Sequence, residues 1–167
     1  NVGINISSGA LIKTFASGAL NMTGTNGSVG PVFGVSSNVG IQINGSTVTV
    51  LDGTMTLTGT GGSDNTPLSS GNDGIFTTAT IISSTGSGAI LLTGNAGNGD
   101  LSNAGIYLNT STLSNTTGPI TLTGFAFGTL NSNIGTNLNT SAINVANGPL
   151  TIMGTGGTGT TYNWGVG

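Results

Sequence analysis

At 167 residues the chain has the length of one ordinary domain, yet 32 of those residues are glycine, only 3% are charged, the net charge is −3, and cysteine and histidine are absent. Its one basic residue is Lys13 and its acids are Asp52, Asp64, Asp73 and Asp100, which excludes a basic surface for phosphates, any Ser-His-Asp or thiolate mechanism, and disulfide or thiolate-metal frameworks. A hydrophobic content of 35%, with Ile, Val and Thr prominent, nevertheless supplies the apolar surface that an ordered all-β protein needs.

The first element in the chain follows Asn1-Val2-Gly3. This N-x-G triplet returns at Asn38-Val39-Gly40, Asn72-Asp73-Gly74, Asn103-Ala104-Gly105, Asn133-Ile134-Gly135 and Asn163-Trp164-Gly165. Behind the first five triplets runs an alternating segment that places Ile4/Ile6, Ile41/Ile43, Ile75/Thr77, Ile106/Leu108 and Thr136/Leu138 on one face, the period of a strand. Five residues past each pair stands Leu11, Val48, Ile82, Leu113 or Ile143, preceded two residues earlier by Gly9, Ser46, Thr80, Ser111 or Ser141. This reads as a shorter second strand with those apolar residues inward; Lys13, two after Leu11, is expected to point out through a local bulge.

The third strand is the most regular. "GALNMTG" at Gly18, "GTMTLTG" at Gly53, "GAILLTG" at Gly88, "GPITLTG" at Gly118 and "GPLTIMG" at Gly148 stand 35, 35, 30 and 30 residues apart. Their inward residues are Leu20/Met22, Met55/Leu57, Ile90/Leu92, Ile120/Leu122 and Leu150/Ile152. Between the closing Gly and the next Asn lie segments of unequal length, holding Phe33, Phe125, Phe127 and Tyr162. This corner tolerates insertion and is where recognition would reside.

Three short strands cannot bury their apolar faces alone, but successive turns of such a chain can stack into a continuous core. The expected fold is an all-β, right-handed parallel β-helix, or β-solenoid, with three strands per coil, about 30–37 residues per coil and five to six coils, the hand following the general preference of parallel connections. Residues 1–167 form one continuous solenoid segment, expected to belong to a longer repeat protein. Asn1, Asn38, Asn72, Asn103, Asn133 and Asn163 are expected to form a structural ladder of side-chain amides, with Asn supplying left-handed backbone at the corner and the following Gly removing a Cβ clash.

The acids fall at unlike positions: Asp73 in an N-x-G corner, Asp64 and Asp100 in variable segments, Asp52 in the turn before strand three. No carboxylate pair for proton transfer is apparent, "GNGDL" at Gly97 is a lone hint of calcium-repeat spacing, and the chain is expected to be no enzyme, with no cofactor and no metal site. So few ionisable groups also predict stability insensitive to pH and salt. No apolar run is long enough to span a bilayer, and neither nucleic acid nor membrane insertion is expected.

The outward residues of strand three form two columns, Asn21, Thr56, Leu91, Thr121, Thr151 and Thr23, Thr58, Thr93, Thr123, Met153. Thr56, Thr58, Thr93, Thr121, Thr123 and Thr151 make a candidate surface array that resembles the threonine ladders of ice-binding β-helices, an alternative to the fact that Thr favours an exposed sheet.

Repeats of the form N-x-G-I-x-L-N-T-S-x-L-x-x-x-x-G-P-I-T-L-T-G, clearest in "NAGIYLNTSTLSNTTGPITLTG" from Asn103 to Gly124, resemble those of large secreted bacterial proteins of the filamentous haemagglutinin and giant adhesin type. The coils are longer than is usual in that group. The resemblance covers essentially the whole chain and implies an extracellular, cell-surface fibre or adhesin without catalytic sites. Its implied partners are flanking solenoid coils or further copies of itself, and a host or neighbouring-cell surface or glycan.

Overall fold

The structure is a computed structural model that describes residues 1–26, 37–63 and 69–167. Fifteen strands follow one another with no helix among the described residues. The first coil holds β1 (Val2–Ile6), β2 (Leu11–Lys13) and β3 (Leu20–Thr25), and the second β4 (Val39–Asn44), β5 (Thr47–Val50) and β6 (Met55–Thr60). The third holds β7 (Ile75–Thr78), β8 (Ile81–Ser84) and β9 (Ile90–Asn95); the fourth β10 (Ala104–Asn109), β11 (Thr112–Asn115) and β12 (Ile120–Phe125). The fifth holds β13 (Ile134–Asn139), β14 (Ala142–Val145) and β15 (Leu150–Thr155).

Corresponding strands of successive coils pair in parallel, giving three five-stranded sheets: β1-β4-β7-β10-β13, β2-β5-β8-β11-β14 and β3-β6-β9-β12-β15. The chain is therefore a parallel β-solenoid with three strands per coil, making about four turns from its first coil to its fifth. A sixth coil is only begun, by an isolated bridge between Thr136 and Val166.

The alternation in strands one and three translates directly into stacked columns. Ile4, Ile41, Ile75, Ile106 and Thr136 lie in register through the first sheet. Leu20, Met55, Ile90, Ile120 and Leu150 do so through the third. Ile41, Ile43, Met55, Leu57, Ile90, Leu92, Ile106, Leu108, Ile120 and Leu122 are buried in one continuous core, with Ile4, Met22, Leu138 and Ile152 of the end coils packed against it and half-buried. Each coil covers the next, so the hydrophobic gain accrues only through stacking. The two hydroxyls that stand in the inward columns of the first sheet are satisfied: Thr77 donates to Ser111 Oγ at 2.9 Å and Thr136 to the Met153 carbonyl at 2.9 Å.

The second sheet departs from expectation in its first coil. Ile12, not Leu11, stacks on Val48; Leu11 pairs with Thr47 and is 66% exposed, and Lys13 pairs with Thr49. The preceding corner explains the offset. It carries two consecutive left-handed residues, Ser8 and Gly9, where later coils carry the single residues Gly45, Ala79, Thr110 and Thr140. One additional residue shifts the strand by one and reverses the facing of every side chain in it. Lys13 thus faces outward by register rather than by a bulge, its Nζ 5.0 Å from the centre of the Phe15 ring.

The residue that opens this corner's exit does more than begin a strand. Ser46, Thr80, Ser111 and Ser141 each donate their hydroxyl to the carbonyl two residues earlier, at 2.9, 2.9, 2.9 and 3.1 Å. Ser111 and Ser141 in turn accept the backbone N–H of Thr80 and Ser111 from the coil before. A hydroxyl column therefore latches the first corner locally and between coils.

Candidate functional site

The asparagine column is the most ordered polar feature. Asn38, Asn72, Asn103 and Asn133 are completely buried. Asn38 Nδ2 donates to Asn72 Oδ1 at 2.8 Å, and Asn103 Nδ2 to Asn133 Oδ1 at 2.8 Å. The carbonyl oxygens of Asn103, Asn133 and Asn163 also accept the backbone N–H of Asn72, Asn103 and Asn133, at 3.0, 3.2 and 3.0 Å. At the first coil Asn1 reaches Asn38 Oδ1 at 3.4 Å, and at the last Asn163 Nδ2 turns to the Leu130 and Thr161 carbonyls. A buried amide needs all these partners, because each unpaired group forfeits its hydration.

The left-handed backbone falls one residue before this column, on Gly71, Ser102, Ser132 and Tyr162, and not on the asparagines. The asparagine is held by its side-chain bonds, and the strain is passed to the residue that introduces it. The glycine that follows the asparagine is also required for a reason other than the turn: a Cβ on Gly40, Gly74 or Gly105 would collide with the backbone nitrogen of Thr60, Asn95 or Phe125, and the glycines that close strand three are confined in the same way. A Cβ on Gly59 would collide with the Gly74 carbonyl, on Gly94 with that of Gly105, and on Gly124 with that of Gly135. Strand three of one coil and strand one of the next thus meet backbone to backbone along a seam of paired glycines.

Asp73 is the middle residue of its N-x-G triplet, where the other coils carry Val2, Val39, Ala104, Ile134 and Trp164. It is 5% exposed and accepts the Ala104 N–H at 2.7 Å. Burial pushes its pKa up from 3.8 to about 7, against the opposing pull of that hydrogen bond. The expected insensitivity to pH therefore fails at this one residue. Asp52 is exposed and accepts the Ser87 N–H at 2.9 Å and the Ser87 hydroxyl at 3.2 Å, bracing the corner of the next coil. Asp64 and Phe33 lie outside the described residues. Among the described residues no three acidic side chains gather as a metal site would require.

The threonine columns stack as the sequence predicts. Asn21, Thr56, Leu91, Thr121 and Thr151 are in register, as are Thr23, Thr58, Thr93, Thr123 and Met153. Facing outward, Thr56, Thr58, Thr93, Thr121, Thr123 and Thr151 make no side-chain hydrogen bond among the described residues. This contrasts with the second sheet, where Ser83 donates to Thr49 Oγ1 at 3.0 Å. A third outward column, invisible as such in the sequence, continues the face with Thr25, Thr60, Asn95, Phe125 and Thr155.

Beyond that column the loop rim begins. Thr60, Gly61, Ser63, Asn95, Ala96, Gly97, Asn98 and Phe127 line a groove of about 410 Å³. Phe127 is 53% exposed, and Tyr162 packs edge-on against Trp164 with centroids 6.0 Å apart. On the first sheet, Phe76 and Tyr107 of neighbouring coils pair edge-on at 5.3 Å, an aromatic contact that single-coil reading could not reveal. No protein-family model matches the chain, and no curated protein and no solved structure matches it either.

Proposed function

We propose that the chain is a segment of a rigid, non-catalytic rod displayed outside a bacterial cell, a shaft or filament of the filamentous haemagglutinin and giant adhesin type. The observation that carries this reading is the uniform stacking step: all three sheets repeat in register through every coil, although the repeats differ in length. Such a rod resists bending because its backbone ladders run along its full length, and it presents its loops at regular intervals. The sequence resemblance from Asn103 to Gly124 points the same way, as does a composition without His, Cys, Arg or Glu. Electron microscopy of the native material tests it. Rods or filaments with an axial repeat of roughly 4.8 Å are expected, and compact particles with no axial repeat would overturn it.

Ice binding is a second reading, favoured by the six unengaged threonine hydroxyls in register on one sheet. Asn21, Leu91 and Met153 interrupt that grid. Thermal hysteresis that disappears on replacing Thr58, Thr93 and Thr123 would establish it, and its absence in the unaltered protein would end it.

A further inference from the structure

The groove at the rim of the third sheet has a specific origin in the way the coils align. Gly59, Gly94, Gly124 and Gly154 are register partners. Three residues beyond each stand Gly62, Gly97, Phe127 and Gly157. A Cβ on Gly97 would collide with the Gly62 carbonyl, and one on Gly157 with that of Gly128, so coils three and five have no room for a side chain pointing into the stack there. In coil four Phe127 turns outward at the edge of the groove and is 53% exposed, while the next residue, Gly128, is buried under Gly157.

The floor is rigid. The Gly61 N–H donates to the Asn95 carbonyl at 2.9 Å, the Ala96 N–H to Phe125 at 2.8 Å and the Gly97 N–H to the buried Asn72 at 2.8 Å. Ser63 Oγ accepts the Asn98 N–H at 3.3 Å and so ties the two coils together on the outer side. By contrast the side chains of Thr60, Asn95 and Asn98 make no hydrogen bond among the described residues. An exposed aromatic residue thus stands beside one hydroxyl and two amides that are unengaged among the described residues, on a backbone already held in place, with no charged group among the described lining residues.

We propose that this groove is a binding site for a neutral saccharide. The apolar C–H face of a pyranose packs on an aromatic ring, and its hydroxyls pair with amides and hydroxyls that both donate and accept. Preorganised polar groups limit the entropy cost of binding. The chain has no Arg, and its one Lys, Lys13, stands on the second sheet of the first coil, which disfavours sialylated or sulfated sugars. The volume of about 410 Å³ is in the range of a small-ligand site. Thr60 and Asn95 extend the polar contact along the sheet in register. This assignment rests on the reading of the chain as a displayed extracellular rod, and gives that rod a contact with its surroundings.

The 167-residue protein would be screened against immobilised cello-, chito- and galacto-oligosaccharides beside sialylated and sulfated glycans, and the best ligand titrated calorimetrically. Binding to a neutral glycan is expected. Phe127→Ala should weaken it roughly tenfold or more, Phe127→Tyr should preserve it, and Asn95→Ala should weaken it, all with unchanged melting temperature. Phe76→Ala, on another sheet, should leave it intact. No neutral-glycan binding, binding confined to charged glycans, or binding untouched by Phe127→Ala would overturn the proposal. Axial repeats seen by microscopy without glycan binding would remove this site and leave the rod; glycan binding by a particle without such repeats would do the reverse.

Discussion

Asn103 and Asn133 are completely buried, sit in consecutive coils and share a side-chain hydrogen bond of 2.8 Å that neither could replace with water. Asn103 Oδ1 simultaneously accepts the Asn72 N–H. Its side chain therefore joins three coils. Asn103→Ala should cost about 3 kcal/mol, the sum of unpaired buried groups and a small cavity. Asn1→Ala, at an exposed position with a 3.4 Å contact, should change stability by less than about 0.5 kcal/mol. Urea unfolding of the two variants makes the comparison.

Asp73 makes stability depend on pH in a direction opposite to a salt-bridged carboxylate. Folded, it keeps its proton up to about pH 7; unfolded, it releases it near 3.8. Between those values the folded state binds more protons than the unfolded one, so stability falls as pH rises from about 4 to about 7 and levels off above that. The difference corresponds to at most about 4 kcal/mol. Melting temperature should be highest near pH 4, and Asp73→Asn should flatten the profile across this window.

The left-handed corner residues permit a test of backbone strain alone. Thr110 adopts φ 49° and Gly45 the equivalent position at φ 56°. A Cβ at Gly45 meets nothing within 4 Å, so contact plays no part in the outcome. Gly45→Thr should destabilise by about 1 kcal/mol, because a β-branched residue is placed in the left-handed region. Thr110→Gly should raise the melting temperature, by less than the full strain, since glycine adds entropy to the unfolded chain. Thermal melts read both.

The register of β2 can be read from two neighbouring substitutions. Leu11→Ser should be neutral or slightly favourable, removing an apolar group that is two-thirds exposed. Ile12→Ser should cost roughly 2 kcal/mol, because Ile12 covers Val48 at the edge of the core. The reverse order would place Leu11 inward.

Strands one and three were legible because each offers two inward residues in strict alternation, and Ile41/Ile43 or Ile120/Leu122 admit only one facing. Strand two offers a single inward aliphatic residue in most coils, so the sequence does not distinguish Leu11 from Ile12, and the additional corner residue at Ser8 and Gly9 decides between them. The asparagine ladder was legible as a column. Its backbone was not, since the preference of Asn for left-handed geometry is an average and Ser102 and Ser132 carry the strain in this chain. Threonine columns follow from register alone. The groove beside Phe127 does not, because it depends on an outward aromatic residue in one coil meeting loops of different length in the coils before it. Burial of Asp73 was hidden by its neighbours in sequence, which are polar or small; only its neighbours along the axis, Val39 and Ala104, disclose it.

The paired-glycine seam between Gly59 and Gly74, and its equivalents above and below, lies on either side of the variable segment. The two backbones clamp together before the loop departs and after it returns. A segment of any length can therefore be spliced in at this point while the pitch of the rod stays constant. The larger differences in repeat length are confined to the rim, and the three stacked sheets keep one register whatever the loops between them hold.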